Sequence, residues 1–268
     1  MITAAVVIVG LCIGSFLNVV ILRLPKGESL VRPRSHCACG ATIRWHDNIP
    51  LLSWIVLRGR ARCCGRAIPV RYPLIEAATA ALFYLVWRHA APDIGLAAAG
   101  WVFLSVLLAA AVIDAEHMII PESLTLGLGV AGVILAFIVP ALRSEGLLAT
   151  LAAGGHALLG LAIGSGLMLW IASLASALLR RDAMGMGDVL FVGGIGAFCG
   201  WHGAVFAIFG GAFVGLFWVL AAVLLRRAPR MTSRLPFGPM LAIAAALYYL
   251  VLTTPVEAWF TQVGALFQ

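Results

Sequence analysis

Charge is what this sequence has least of. Only 11% of its 268 residues are Asp, Glu, Lys or Arg, 63% are hydrophobic, and the mean hydropathy is +1.06. That shortage excludes an ordinary soluble domain and places the chain among polytopic membrane proteins. No basic stretch precedes the first apolar run, which contains Gly14, Ser15 and Asn18, and no small-residue cleavage site comes before Arg23. Residues 2–22 therefore read as a retained span rather than a removable signal. There is no tandem repeat, no low-complexity tail and no Rossmann-type glycine loop. A net charge of +7 suggests nucleic acid, but the basic residues sit in a few loops between apolar runs, which argues against it and for a lipid membrane as the partner.

What is present is a series of apolar segments. A spanning helix needs ~20 mainly apolar residues. Eight segments qualify, at about 2–22, 73–91, 96–115, 119–140, 147–178, 186–201, 203–225 and 235–254. The expected fold is an all-α polytopic membrane helix bundle. It divides into a first span (1–22), a small irregular loop domain (23–72) and a seven-helix membrane domain (73–268) that carries the chemistry. The sixth segment holds Gly193, Gly194, Gly196 and Gly200. Small residues let helices approach closely, so this segment is predicted in the bundle interior.

Basic residues orient the bundle, because cytoplasmic loops carry the excess of Lys and Arg. Ten lie between Arg23 and Arg71, two are Arg180 and Arg181, and four are Arg226, Arg227, Arg230 and Arg234. With eight spans and both termini outside, these sixteen share one face and leave only Arg88 and Arg143 on the other. The same topology puts Asp114, at the end of the third span, and Asp188, at the start of the sixth, at similar depth near the cytoplasmic face.

A carboxylate at a membrane boundary carries a desolvation cost of several kcal/mol, so a chain keeps one there mainly for a site. Two at one depth form a pair that can share a proton and split water. The two glycines before Asp188 permit close backbone approach and a local break, which membrane depth tolerates only in buried or wet surroundings. An aspartic peptidase needs this arrangement. The competing reading is that each acid merely caps a helix. Cys12 and Cys199 lie in apolar spans and read as small packing residues, while Glu116, His117 and Glu122 read as interfacial side chains.

Four of the six cysteines fall in the loop: Cys37, Cys39, Cys63 and Cys64. The loop is rich in turn formers and has little core of its own, so it needs a staple. Facing a reducing compartment, the staple is a metal rather than disulfides, with zinc in a tetrahedron of thiolates the expected form. The spacing is C-x-C and C-C rather than C-x-x-C twice. His36, three positions before Cys39, is a further candidate ligand.

At this point the chain resembles the type IV prepilin peptidases nearly end to end. The matching stretches are Gly14 to Pro25, Asp47-Asn48-Ile49-Pro50, Ser53-Trp54, Leu57-Arg58-Gly59, Arg71 to Glu76, the segment around Asp114, Gly185-Met186-Gly187-Asp188 and Pro236-Phe237-Gly238-Pro239. The resemblance implies catalytic roles for Asp114 and Asp188. It implies removal of a short basic leader, after a glycine, from type IV prepilins and type II secretion pseudopilins, at the cytoplasmic side of the bacterial inner membrane. It further implies N-methylation of the new N-terminus with S-adenosylmethionine, for which no binding residues are identified. Two departures stand out. His36 and Ala61 occupy positions where the family carries cysteines, and Leu190 stands where it often has lysine. A peptidase without the methyltransferase activity, a proton-coupled transporter using the two acids as a relay, and a non-catalytic assembly subunit are the alternatives. The transporter reading lacks the internal symmetry such proteins show.

Overall fold

The computed structural model describes residues 1–142, 146–182, 184–225 and 235–265. Arg143 and the four arginines from Arg226 to Arg234, which the orientation argument used, lie outside them. Regular structure among the described residues is helical, with no strand beyond two isolated bridges. Two compact units divide the chain, Met1–Ser105 and Val106–Gln268.

In the first unit, α1 (Ile2–Arg23) packs on α3 (Arg71–Ala90). Gly10 and Gly14, four residues apart on one face, make the contact. A Cβ at either would stand 2.7 Å from a backbone atom of α3, Cα of Ala80 for Gly10 and Cα of Glu76 for Gly14. Lipid offers no hydrophobic drive for helices to associate, so close backbone packing of this kind supplies the attraction. The loop between the two helices includes the short α2 (Leu52–Val56) and is tied to them by buried polar groups. Arg23 donates to the carbonyls of Ser29 and Pro33 at 3.0 and 2.9 Å. Asn18 Nδ2 donates to the Tyr72 carbonyl at 3.2 Å, and Glu76 Oε2 accepts the Leu51 N–H at 2.8 Å. Arg23 is therefore a buried clamp on the loop as well as a topology charge. Cys12, expected to pack in a core, lies on the exposed face of α1.

The second unit takes the end of α4 (Ile94–His117), then α5 (Glu122–Leu142), α6 (Leu147–Leu179), α7 (Met186–Leu224), α8 (Gly238–Leu247) and α9 (Thr253–Ala265). Although α7 is one helical run, Gly200 has φ +66°, and the chain doubles back there. A Cβ on Gly164 of α6 would stand 2.8 Å from the Val192 carbonyl oxygen and 3.0 Å from Ala204 Cβ. Twelve residues of straight helix would separate Val192 from Ala204 by about 18 Å, so they flank a hairpin. Its first arm is the glycine-rich segment, and it is buried as expected. Gly196 meets Gly160 backbone to backbone, Gly193 lies on Ser165, and Gly194 lies on Leu128.

Among the described residues, six helices are long and apolar enough to cross a membrane, against the eight segments read from the sequence. The difference has two sources. α3 carries Arg71, Glu76 and Arg88 and falls outside the six, and α7 counts once despite its turn at Gly200. The last segment starts at Gly238 and continues past residue 254 to Ala265 through a π turn, Tyr248–Leu252. Pro255 follows three residues after the π turn, and in a regular helix its ring would clash with the carbonyl four residues back, that of Val251 within the turn.

Candidate active site

Asp114 sits in the last turn of α4. The helix stops at Met118, which adopts φ +57°. The chain then passes through Ile119, Ile120 and Pro121 into α5, and Pro121 at that start suits a residue without an N–H. The Asp114 side chain is buried, and its Oδ2 accepts the backbone N–H of Gly238 at 2.8 Å. Gly238 is the first residue of α8, where N–H groups lack partners within their own helix and the dipole favours negative charge. The capping reading is thus met in part, because Asp114 does hold the start of α8.

Asp188 is the third residue of α7 and is half-buried, with its own N–H directed at the Gly185 carbonyl at 3.2 Å. Its neighbour Gly187 lies against Ile120, and a Cβ there would stand 2.9 Å from the Ile120 carbonyl oxygen. A backbone carbonyl cannot rotate aside as a side chain can, so only glycine fits. Ile120 also touches the Gly238 position, 3.0 Å from its Cδ1 to a Cβ built there. One buried isoleucine therefore lies against both Gly187, beside Asp188, and Gly238, the partner of Asp114. The two carboxylates lie within electrostatic reach of each other. Capping alone gives no reason for two caps to converge. Glu116, His117 and Glu122 are exposed, as expected of interfacial residues, and Leu190 is half-buried.

In the first unit, two tight turns bring the loop cysteines together. Cys37 N–H donates to the Ala41 carbonyl and Gly40 N–H to the Cys37 carbonyl, each at 2.8 Å. The second turn closes through Gly65 N–H to the Ala61 carbonyl at 2.8 Å. All four sulfurs lie within 4.8 Å of one another, with Cys37 to Cys64 at 3.6 Å and Cys39 to Cys63 at 3.4 Å. Four sulfurs each ~2.3 Å from one zinc ion would lie about 3.8 Å apart, so the set fits a thiolate tetrahedron. The backbone N–H of Cys39, then the neighbouring thiols, bring the Cys37 thiol down to about 7. Cys63, hydrogen-bonded first to Cys39 and then to Cys37, goes up to about 12. His36 is not one of the group; its Nδ1 lies 3.2 Å from the Arg34 carbonyl. Asp47 is gripped by Arg62 through Nε and Nη2 at 2.8 to 3.0 Å, one residue from Cys63.

Sequence reasoning named both acids and all four thiols but missed the Gly238 amide and Ile120. The available signal was Gly238 before Pro239, a glycine at a helix start beside a residue that cannot donate.

Comparison with known proteins gives the family. Residues 8–90 match the Bacterial Peptidase A24 N-terminal domain, and residues 101–220 match the Type IV leader peptidase family. A Myxococcus xanthus protein named prepilin leader peptidase/N-methyltransferase is 41% identical over 80% of this chain, and the match spans 62% of that protein. A Klebsiella pneumoniae protein of the same name is 42% identical over 72% of this chain and 83% of its own. An Escherichia coli protein named type 4 prepilin-like proteins leader peptide-processing enzyme is 39% identical, with 87% of this chain and 88% of its own covered. No solved structure matches the chain.

Proposed function

This chain is an enzyme that belongs to the type IV leader peptidase family, and on that premise we propose that it is an aspartic endopeptidase whose acids are Asp114 and Asp188. The observation that carries the reading is that Ile120 lies against both Gly187, beside Asp188, and Gly238, the partner of Asp114, with the two carboxylates within electrostatic reach. Like charges at such range do not both ionise readily, so the pair shares one proton. The ionised member takes a proton from water as the water oxygen bonds to the scissile carbonyl carbon. The protonated member donates to the carbonyl oxygen. Collapse of the tetrahedral adduct then breaks the C–N bond, and a proton from the pair goes to the leaving amine.

The substrate we propose is the basic leader of type IV prepilins and type II secretion pseudopilins, cut after glycine on the cytoplasmic side of the bacterial inner membrane. The names of the relatives and the one-sided distribution of arginines support this. The double name of those relatives also supports a second activity, methylation of the new N-terminus with S-adenosylmethionine as donor. When bound, that donor would supply the methyl group. Zinc is the metal the loop would hold, through Cys37, Cys39, Cys63 and Cys64. It would supply folding energy to a loop with little core.

The test is leader release from a prepilin by the purified protein in detergent. The parent cleaves, whereas Asp114→Asn and Asp188→Asn, at equal expression, do not. Cleavage by both variants would remove the aspartyl assignment. In the same assay labelled S-adenosylmethionine marks the mature pilin, and absence of label beside a working control enzyme would leave a peptidase only.

A further inference from the structure

Asp114 is gripped by a group for which the two-acid mechanism alone has no use. Gly238 donates its N–H to Asp114 Oδ2 at 2.8 Å, in a buried setting and across 124 positions of chain. At a helix start that donor would otherwise be an orphan. Rotation about the last torsion of an aspartate is soft and two-fold, so a fixed donor on one oxygen selects one orientation. The same glycine has no room for a side chain. A Cβ there would stand 2.8 Å from Asp114 Oδ2, 3.0 Å from Ile120 Cδ1 and 3.1 Å from Asp114 Cβ.

We propose that Gly238 is a positioning residue for the acid pair. Its N–H commits Asp114 Oδ2 to α8, which leaves Oδ1 as the oxygen that meets water and peptide. Its bare α-carbon lets Asp114 and Ile120 settle where Ile120 also meets Gly187, and this sets Asp188 in register with Asp114. The proposal rests on the reading of Asp114 and Asp188 as the catalytic pair.

Gly238→Ala tests it by steric displacement. Ordinary contact begins at 3.4 Å, so Oδ2 must retreat by about 0.6 Å. Active sites hold their geometry to ≈0.5 Å, and a misplacement of ~1 Å costs on the order of 10²-fold, so kcat should fall roughly 10- to 100-fold. KM should stay within about threefold, because no substrate contact is removed. A second variant, Gly238→Ala with Ile120→Val, deletes Cδ1 and relieves that clash while leaving the one with Asp114. The expected result is recovery of thermal stability without recovery of kcat. Recovery of both would make Gly238 a packing residue and overturn the proposal. A third measurement does not depend on the alanine variant folding. Exchange of the Gly238 amide should be at least tenfold faster in Asp114→Ala than in the parent, with Asp114→Asn in between. Unchanged exchange would overturn the proposal. Parental kcat in Gly238→Ala beside a dead Asp114→Asn would sink the positioning role and leave the catalytic pair standing. Cleavage by Asp114→Asn would sink both.

Discussion

Replacing Glu76 should loosen the loop that carries the thiols, by an amount that follows from one hydrogen bond. Glu76 is buried on α3, and its Oε2 accepts the Leu51 N–H at 2.8 Å. Leu51 adopts φ +59°, a conformation a leucine holds only under constraint. Hydrogen bonds to charged acceptors contribute about 1.5–3 kcal/mol net, and each 1.4 kcal/mol is a factor of ten, so Glu76→Ala should raise local opening roughly 10- to 100-fold. Glu76→Gln keeps an acceptor oxygen but loses the charge, which about halves the bond, so its effect should be nearer three- to tenfold. Relaxation of Leu51 to an ordinary backbone adds to opening in both variants. The assay is amide exchange of the peptide containing Leu51, read in detergent against a peptide from α6 as internal reference. An unchanged protection factor in Glu76→Ala would refute the argument, since no other acceptor for that N–H is part of it.

Metal content offers a second check. The parent should bind about one zinc per chain, Cys37→Ser, Cys39→Ser, Cys63→Ser and Cys64→Ser should lose it, and His36→Ala should keep it, as its ring points to Arg34. Equal, negligible zinc in parent and Cys39→Ser would reject the site. Acid provides a third. Arg62 holds the Asp47 carboxyl below the usual carboxylate range. A depressed folded value means that the pairing stabilises the loop above the unfolded value of about 3.9 and is lost as pH falls through the folded one. Protection around Asp47, corrected for intrinsic exchange, should therefore persist at neutral pH and fail only in strong acid, whereas Arg62→Ala should lack it throughout. Loss of protection in the parent already at mildly acidic pH would contradict the pairing.

The features legible from sequence were those written in local patterns. Two acids at the ends of apolar runs, one of them after two glycines, and four thiols in one polar stretch stand out because their chemistry has little other use in a chain this apolar. The buried first arm of α7 was legible because glycine at such density has a packing reason in lipid. The missing features depend on distance in chain. The bond from Gly238 to Asp114 joins a backbone group to a side chain, and a backbone group leaves no letter in the sequence. His36 had the better spacing to Cys39, yet the turn closed by Gly40 selects Cys37. Hydropathy alone does not fix the count of crossings when one helical run reverses at a glycine and another helix, α3, carries three charges. Cys12 is exposed because an apolar side chain in a membrane protein has lipid as a second place to go.

The seam between α6 and the first arm of α7 has a consequence for how this molecule tolerates mutation. Where Gly160 meets Gly196, main chain rests on main chain, with no flexible side chain between to absorb a change. An added methyl there would shift the whole rod instead of a rotamer. Asp188 rides at the end of that rod, about 12 Å away at 1.5 Å per residue. If Asp188 serves the proposed hydrolysis, damage to it can thus originate at Gly160 or Gly196, far along the rod from the acid itself.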